Sequence, residues 1–237
     1  DHAQNVLGLF AVNPNSKIFA RKLSDDVDCL IDADWFAQKI TKALVLREQL
    51  YSQCYYRLIH AEADYLPGLI IDRFEDLLVI QPNATWVDQL MDELVEALKN
   101  VLAPTCIVIN GTGRARVLEG LDEGRRVVLG DMPTVAIEVP MNGAVYFADI
   151  AGGQKTGIFY DQRSNHNFVQ KLSAGKKVLD VFSHVGGFGL AAMANGAAEV
   201  TCVDGSQPAL DLAVLGALAT RSDVPFEVFK GDAFNVM

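Results

Sequence analysis

The stretch KKVLDVFSHVGGFGLAAMANG, Lys176 to Gly196, constrains the fold of this chain more than any other. Its apolar run Val178 to Phe182 is short and rich in β-branched and aromatic residues, which suits a buried strand. The strand runs into a glycine-rich turn and then directly into a helix beginning near Gly187. A strand that passes straight into a helix pairs next with a parallel neighbour rather than through a hairpin. The runs EVTCVD and FEVF downstream, each preceded by a helical stretch, supply those neighbours. The series βαβαβ from about Gln162 predicts an α/β fold with parallel strands and right-handed crossovers.

Such a turn can cradle a ligand. Gly186 and Gly187 allow close backbone approach, and the helix N-terminus presents unpaired N–H groups. The second strand ends at Asp204, where a carboxylate can accept both hydroxyls of a ribose. The third is followed by Gly231-Asp232-Ala233, whose carboxylate and amide could read an adenine edge. A rival reading exists, because Gly187, Gly189 and Ala192 satisfy the dinucleotide pattern GxGxxA, which would make an oxidoreductase using NAD. Against it stands Asp180, inside the first strand: its carboxylate suits the ammonium of a methionine moiety and would repel a pyrophosphate.

Upstream, the opening segment to about Leu23 reads as one short strand, SKIFARKL, after a turn at Asn13-Pro14-Asn15. From Asp32 to about Leu50 apolar residues recur at helical spacing (Phe36, Ile40, Ala43, Leu44). Between Tyr55 and Ile150 strands are expected at YYRLIH, GLIIDRF, DLLVIQP, CIVIN, TVAIEV and AVYFAD, with a helix from Val87 to Val101. The expected boundaries are therefore 1–24, a linker helix over 25–54, an α+β module over 55–150 and the nucleotide half-site over 151–237.

The formal net charge of −10 means that the bulk field repels nucleic acid, so any RNA contact must be local. Lys17, Arg21 and Lys22, then Arg114, Arg116, Arg125 and Arg126, form the basic clusters, read first as solvated surface. No apolar run approaches the roughly 20 residues of a membrane helix, and the N-terminus lacks signal-peptide character. A soluble, cytoplasmic protein is expected. Cys29, Cys54, Cys106 and Cys202 are scattered, which suggests reduced thiols and neither disulfides nor a metal site.

Three stretches resemble one family: YRLIHAEADYLPGLIIDRF (Tyr56 to Phe74), GGQKTGIFYDQRSNH (Gly152 to His166) and VLDVFSHVGGFGL (Val178 to Leu190). They resemble the PUA-domain-containing large-subunit ribosomal RNA cytosine-5 methyltransferases of the class I, Rossmann-like S-adenosylmethionine fold. The resemblance implies that the opening strand is the remnant of a PUA domain, that 55–150 is the family's small α+β domain, and that an incomplete methyltransferase domain follows. It implies S-adenosylmethionine as cofactor and ribosomal RNA as partner. Carried over by position, Asp180, Phe182, Ser183, Gly186 and Gly187 fall on the methionine-binding strand and turn. Asp204, with Ser206 just beyond, falls on the ribose, and Asp232 with Ala233 on the adenine. Thr156, Tyr160, Gln162 and Arg163 match the segment that approaches the cofactor from outside the sheet. His184 departs from the expected small hydroxyl-bearing residue and reads as a surface loop residue.

In that family a cysteine thiolate adds to cytosine carbon 6, making carbon 5 nucleophilic enough to take the sulfonium methyl. No cysteine here matches that nucleophile, which the resemblance places beyond Met237. Cys202, mid-strand in EVTCVD, reads as a buried structural thiol. The expected protein is an RNA methyltransferase chain that binds cofactor in part, is itself inactive, and leaves the sheet edge at VLDVF open to cover by the middle module, by a second copy or by further residues. The alternatives are an RNA methyltransferase of other base specificity and the oxidoreductase.

Overall fold

The computed structural model describes residues 3, 5–153, 156–232 and 234. It divides into two compact units, Asp1–Met132 and Pro133–Met237.

The first unit opens on an antiparallel pair, β1 (Leu9–Val12) and β2 (Ala20–Ser24). The opening segment, expected to hold the single strand SKIFARKL, thus holds two strands, the first lying upstream of that run. Residues 13–19 are consumed by the connection, closed by Asn13 N–H to the Phe19 carbonyl at 2.9 Å, so only ARKL of that run is extended. Helix α1 (Ala33–Leu50) follows, capped by the Asp32 carboxylate, which accepts from the Trp35 amide. Capping of this kind fixes the helix start and satisfies one orphan N–H.

A five-stranded mixed sheet carries the unit, in the order β3 (Tyr55–His60), β4 (Leu69–Phe74), β5 (Leu77–Pro82), β6 (Cys106–Asn110) and β7 (Arg125–Leu129). All neighbours are antiparallel except β5 and β6, which are joined through α2 (Thr85–Gln89) and α3 (Met91–Leu102). The expected helix at 87–101 is therefore broken at Leu90, whose φ of −110° and ψ of 30° leave the helical region. A short helix α4 (Arg114–Glu119) and β7 are further elements beyond the sequence-based expectation. Phe36, Ile40, Leu58, Ile71, Ile80 and Leu94, all fully buried, centre the core between the helices and the sheet.

Two arginines of the basic clusters are structural rather than solvated. Arg116 is buried, donating to both Asp88 carboxylate oxygens and to the carbonyls of Pro82 and Asp122. Arg21 reaches the buried Glu119 at 2.9 Å.

The second unit begins with the hairpin β8 (Ile137–Met141) and β9 (Ala144–Ala148), which the sequence-based boundary placed with the middle module. It packs in the second unit because β9 lies against α6 (Gly187–Ala194) and α7 (Gln207–Thr220), with the Val145 amide donating to Thr220 Oγ1 at 3.0 Å. Helix α5 (Arg163–Leu172) leads into a parallel sheet of β10 (Lys177–Val181), β11 (Glu199–Asp204) and β12 (Phe226–Lys230), in that order. This is the α/β series expected from the sequence. The helix-facing side buries Asp180, Val200 and Cys202, while Leu179 and Phe229 are exposed on the other face. The near-continuous apolar run of β10 is thus only half buried among the described residues.

Candidate functional site

The site residues of the second unit are placed by register. Asp180 of β10 pairs with Cys202, two residues before Asp204; Asp204 pairs with Lys230, two residues before Asp232. The three carboxylates therefore step two residues further along each successive strand across the carboxyl ends of a parallel sheet, the position where open α/β sheets bind ligands.

The turn between β10 and α6 is wound by three left-handed residues: Phe182 (φ 61°), His184 (φ 51°) and Gly186 (φ 80°). Only the last is glycine, so the other two store strain that the surroundings must hold in place. Hydrogen bonds do so. The His184 amide donates to Asp204 Oδ2 at 2.9 Å, the Ser183 amide to the Val203 carbonyl at 3.1 Å, and buried Tyr146 donates its hydroxyl to the Gly187 carbonyl at 3.1 Å. Gly189 lies so close to β11 that a Cβ there would sit 2.5 Å from Cys202 Sγ. That contact, not a phosphate, accounts for the third position of the GxG pattern.

Asp180 is 6% exposed and accepts from the Gly189 amide at 2.8 Å. Burial, offset in part by backbone N–H groups and reinforced by nearby Asp204, pushes its carboxyl up to about 6. Among the described residues no cation pairs with this buried carboxylate. Asp204 also accepts from the Ser206 amide at 2.8 Å, and Ser206 caps α7 through its hydroxyl and the Ala209 amide. Asp232 accepts from the Phe234 amide at 2.9 Å, while Ala233 lies outside the described residues.

The GGQKTGIFYDQRSNH segment reaches this turn, although Gln154 and Lys155 lie outside the described residues. Phe159 packs edge-on against His184, ring centroids 4.7 Å apart, so His184 is a half-buried packing partner rather than a free loop residue. Thr156 is buried with its hydroxyl on the Ile158 carbonyl, and Tyr160 is buried. Gln162 accepts from Asn165, and Arg163 is buried against Asn142 of the β8–β9 turn. His166, at the end of the segment, lies under Gly187 and edge-on to Phe188 at 4.5 Å. Burial drops its pKa to about 4, so the imidazole is neutral. Tyr146 and His166 were not expected as site residues: each acts on the backbone of the turn, which leaves no pattern in the sequence.

A cavity of about 440 Å³ opens beside the turn, lined among others by Asp149, Gly157, His184 and Ser206. Among the described residues no group of His, Cys, Asp and Glu could hold a metal ion, and no helix is long and apolar enough to cross a membrane.

A model of the S-adenosylmethionine-dependent methyltransferases matches residues 51–215. The chain belongs to that family. Its cofactor is accordingly S-adenosylmethionine, and the match gives no support to a nicotinamide-dependent oxidoreductase. The ribosomal RNA large subunit methyltransferase I of Photobacterium profundum is 38% identical over 232 residues, 96% of this chain. The chain spans 58% of that relative's length. A structure from Streptococcus mutans assigned to the SAM-dependent methyltransferases superposes with a TM-score of 0.84 at 24% identity, over 99% of this chain and 61% of the other. A second methyltransferase structure, complexed with SAH, superposes at 0.83 and 24% identity, over 97% of this chain and 60% of the other. At these identities the two structures establish the shared fold.

Proposed function

We propose that this chain binds S-adenosylmethionine at the carboxyl ends of β10, β11 and β12 as part of an enzyme that methylates carbon 5 of a cytosine in large-subunit ribosomal RNA. The stepped row Asp180, Asp204 and Asp232 carries the reading. In it Asp180 receives the ammonium, Ser183, Gly186 and Gly187 shape the turn around the methionine part, and Phe182 flanks it. Asp204 and Ser206 receive the ribose, and Asp232 with Ala233 the adenine. Thr156, Tyr160, Gln162 and Arg163 close the site from outside the sheet. The cofactor supplies an electrophilic methyl; the protein's residues position it and exclude water. The RNA substrate is inferred from the large-subunit relatives, and cytosine carbon 5 from the three resembling stretches.

The carbon-5 chemistry needs a thiolate, and the two buried thiols, Cys106 and Cys202, are held in the protonated form. Burial raises the Cys202 thiol far above its ordinary range, and Cys106 is raised likewise. This chain by itself is therefore expected to hold cofactor without transferring its methyl group.

Thermal shift and calorimetry with S-adenosylhomocysteine against NAD test the cofactor site, since only the true ligand adds binding energy to the folded state. Stabilisation by NAD alone would overturn it. Labelled methyl incorporation into ribosomal RNA by this chain, surviving Cys202→Ser, would overturn its inactivity. Mass spectrometry of ribosomal RNA from cells lacking the gene tests the base: loss of a methyl group elsewhere than cytosine carbon 5 would refute that assignment.

A further inference from the structure

We infer that Tyr65, with Lys39 and Lys42, all residues of the first unit, forms a stacking platform for an unpaired nucleobase of RNA. This rests on the reading that the chain acts on RNA. Tyr65 follows the 3-10 turn Ala61–Asp64 and has a left-handed backbone, φ 60° and ψ 30°. A bulky residue in that region is a strained choice where glycine would serve. The surroundings hold it there. Asp64 on one side accepts from the His60 amide and is ion-paired to Arg47 of α1, and Leu66 on the other side is fully buried.

The effect is to present an aromatic ring to solvent, 62% exposed, at the end of a fixed turn. Two ammonium groups face that ring: Lys39 Nζ lies 5.4 Å and Lys42 Nζ 5.3 Å from its centroid. Both come from one stripe of α1, as does Trp35, whose ring also lies 5.4 Å from Lys39 Nζ. Neither lysine forms an ion pair among the described residues. Asp25, the acid whose charge Lys39 feels, contacts Lys22, and Asp34 of the same helix lines one shallow hollow with Lys42. On a chain of net charge −10 this leaves a local cationic site around an exposed ring.

An unpaired base has a π-face for the tyrosine, and its flanking phosphates can draw the lysines off the ring. A duplex hides that face, so the platform discriminates single-stranded from paired RNA. The local charge also answers the objection that the bulk field repels nucleic acid.

The test measures fluorescence anisotropy of this chain with a single-stranded RNA oligomer and a duplex of equal length, across a salt series. Tyr65→Gly keeps the backbone comfortable, so its melting temperature should equal or exceed the parent's, while single-strand affinity falls roughly tenfold and duplex affinity is unchanged. Tyr65→Phe should bind like the parent. The Lys39→Ala/Lys42→Ala pair should lower the single-strand salt slope by about 1.4, the value for two phosphate contacts. Parent-like binding by Tyr65→Gly and by the lysine pair would overturn the platform and leave the RNA reading standing. No RNA binding by the parent chain would overturn both.

Discussion

The carboxylate of Asp180 accepts the amide of Gly189 at 2.8 Å from inside a buried layer, beside a second carboxylate, Asp204, that raises its pKa further. A group whose folded pKa of about 6 exceeds its ordinary 3.8 destabilises the fold while ionised. The cost is complete above about pH 6 and vanishes as pH falls toward 3.8. Asp180→Asn should therefore raise the melting temperature of the ligand-free chain at pH 7.5, by the equivalent of roughly 1–3 kcal/mol. The gain should shrink through pH 5. The same variant should lose S-adenosylhomocysteine binding, so scanning calorimetry and titration calorimetry move in opposite directions; a variant that loses both stability and affinity would show the carboxylate to be structural.

Asp204→Ala removes the acceptor for two backbone amides and, in the proposed site, for two ribose hydroxyls. Cofactor-product affinity should fall at least tenfold, since charge-assisted hydrogen bonds contribute about 1.5–3 kcal/mol each. The backbone around His184 should exchange amide hydrogens faster. Unchanged calorimetric affinity would sink the ribose assignment.

His166 titrates in the opposite sense to Asp180. Its folded pKa of about 4 lies below the ordinary 6.5, so the buried neutral ring gives full stability above pH 6.5, lost progressively as pH falls toward 4. The span corresponds to at most roughly 3 kcal/mol. Replacing His166 with Phe should flatten that loss in urea denaturation between pH 7 and 4.5, and equal slopes in parent and variant would refute the burial of a neutral imidazole.

Glu119 gathers the Asn13 amide group, the Ser16 hydroxyl and the Arg21 guanidinium from the β1–β2 region. Glu119→Ala would leave Arg21, its side chain 11% exposed, with only the exposed Glu62 at 3.5 Å, which costs about 1.5–3 kcal/mol. Hydrogen exchange at Leu9 to Ser24 should rise while α3 keeps its protection. Loss of protection throughout would mean that the contact holds the whole unit.

The open face of the parallel sheet, with Leu179 and Phe229 at 55% and 46% exposure, should drive self-association at high concentration. Light scattering on size-exclusion peaks should show dimers that Leu179→Lys disperses. A monomer at all concentrations would set this aside.

The parallel series in the second unit was legible because three apolar runs, a glycine turn and two terminal aspartates all point to one arrangement. Strand β7 was not, since RRVVL opens on two arginines and looks like surface, and α4 is too short to show a period. The break at Leu90 carries no glycine or proline; it falls where α2 lies against β5 and α3 against α1. In the site, carboxylates and glycines announce themselves by type, whereas Tyr146 grips a carbonyl and His166 supports a turn, tasks that many residues could perform and that only three-dimensional proximity assigns.

Because no methyl group fits between Gly189 and the Cys202 sulfur, these two positions are not free to vary alone. Gly189→Ala should lift the helix off the strand and disturb the amide that Asp180 accepts, whereas Gly189→Ala with Cys202→Ala should recover much of the loss, because the second change removes the atom the first collides with. The history of such a site would be written in paired substitutions, with the thiol conserved or exchanged according to what stands at 189 and not for any reactivity of its own.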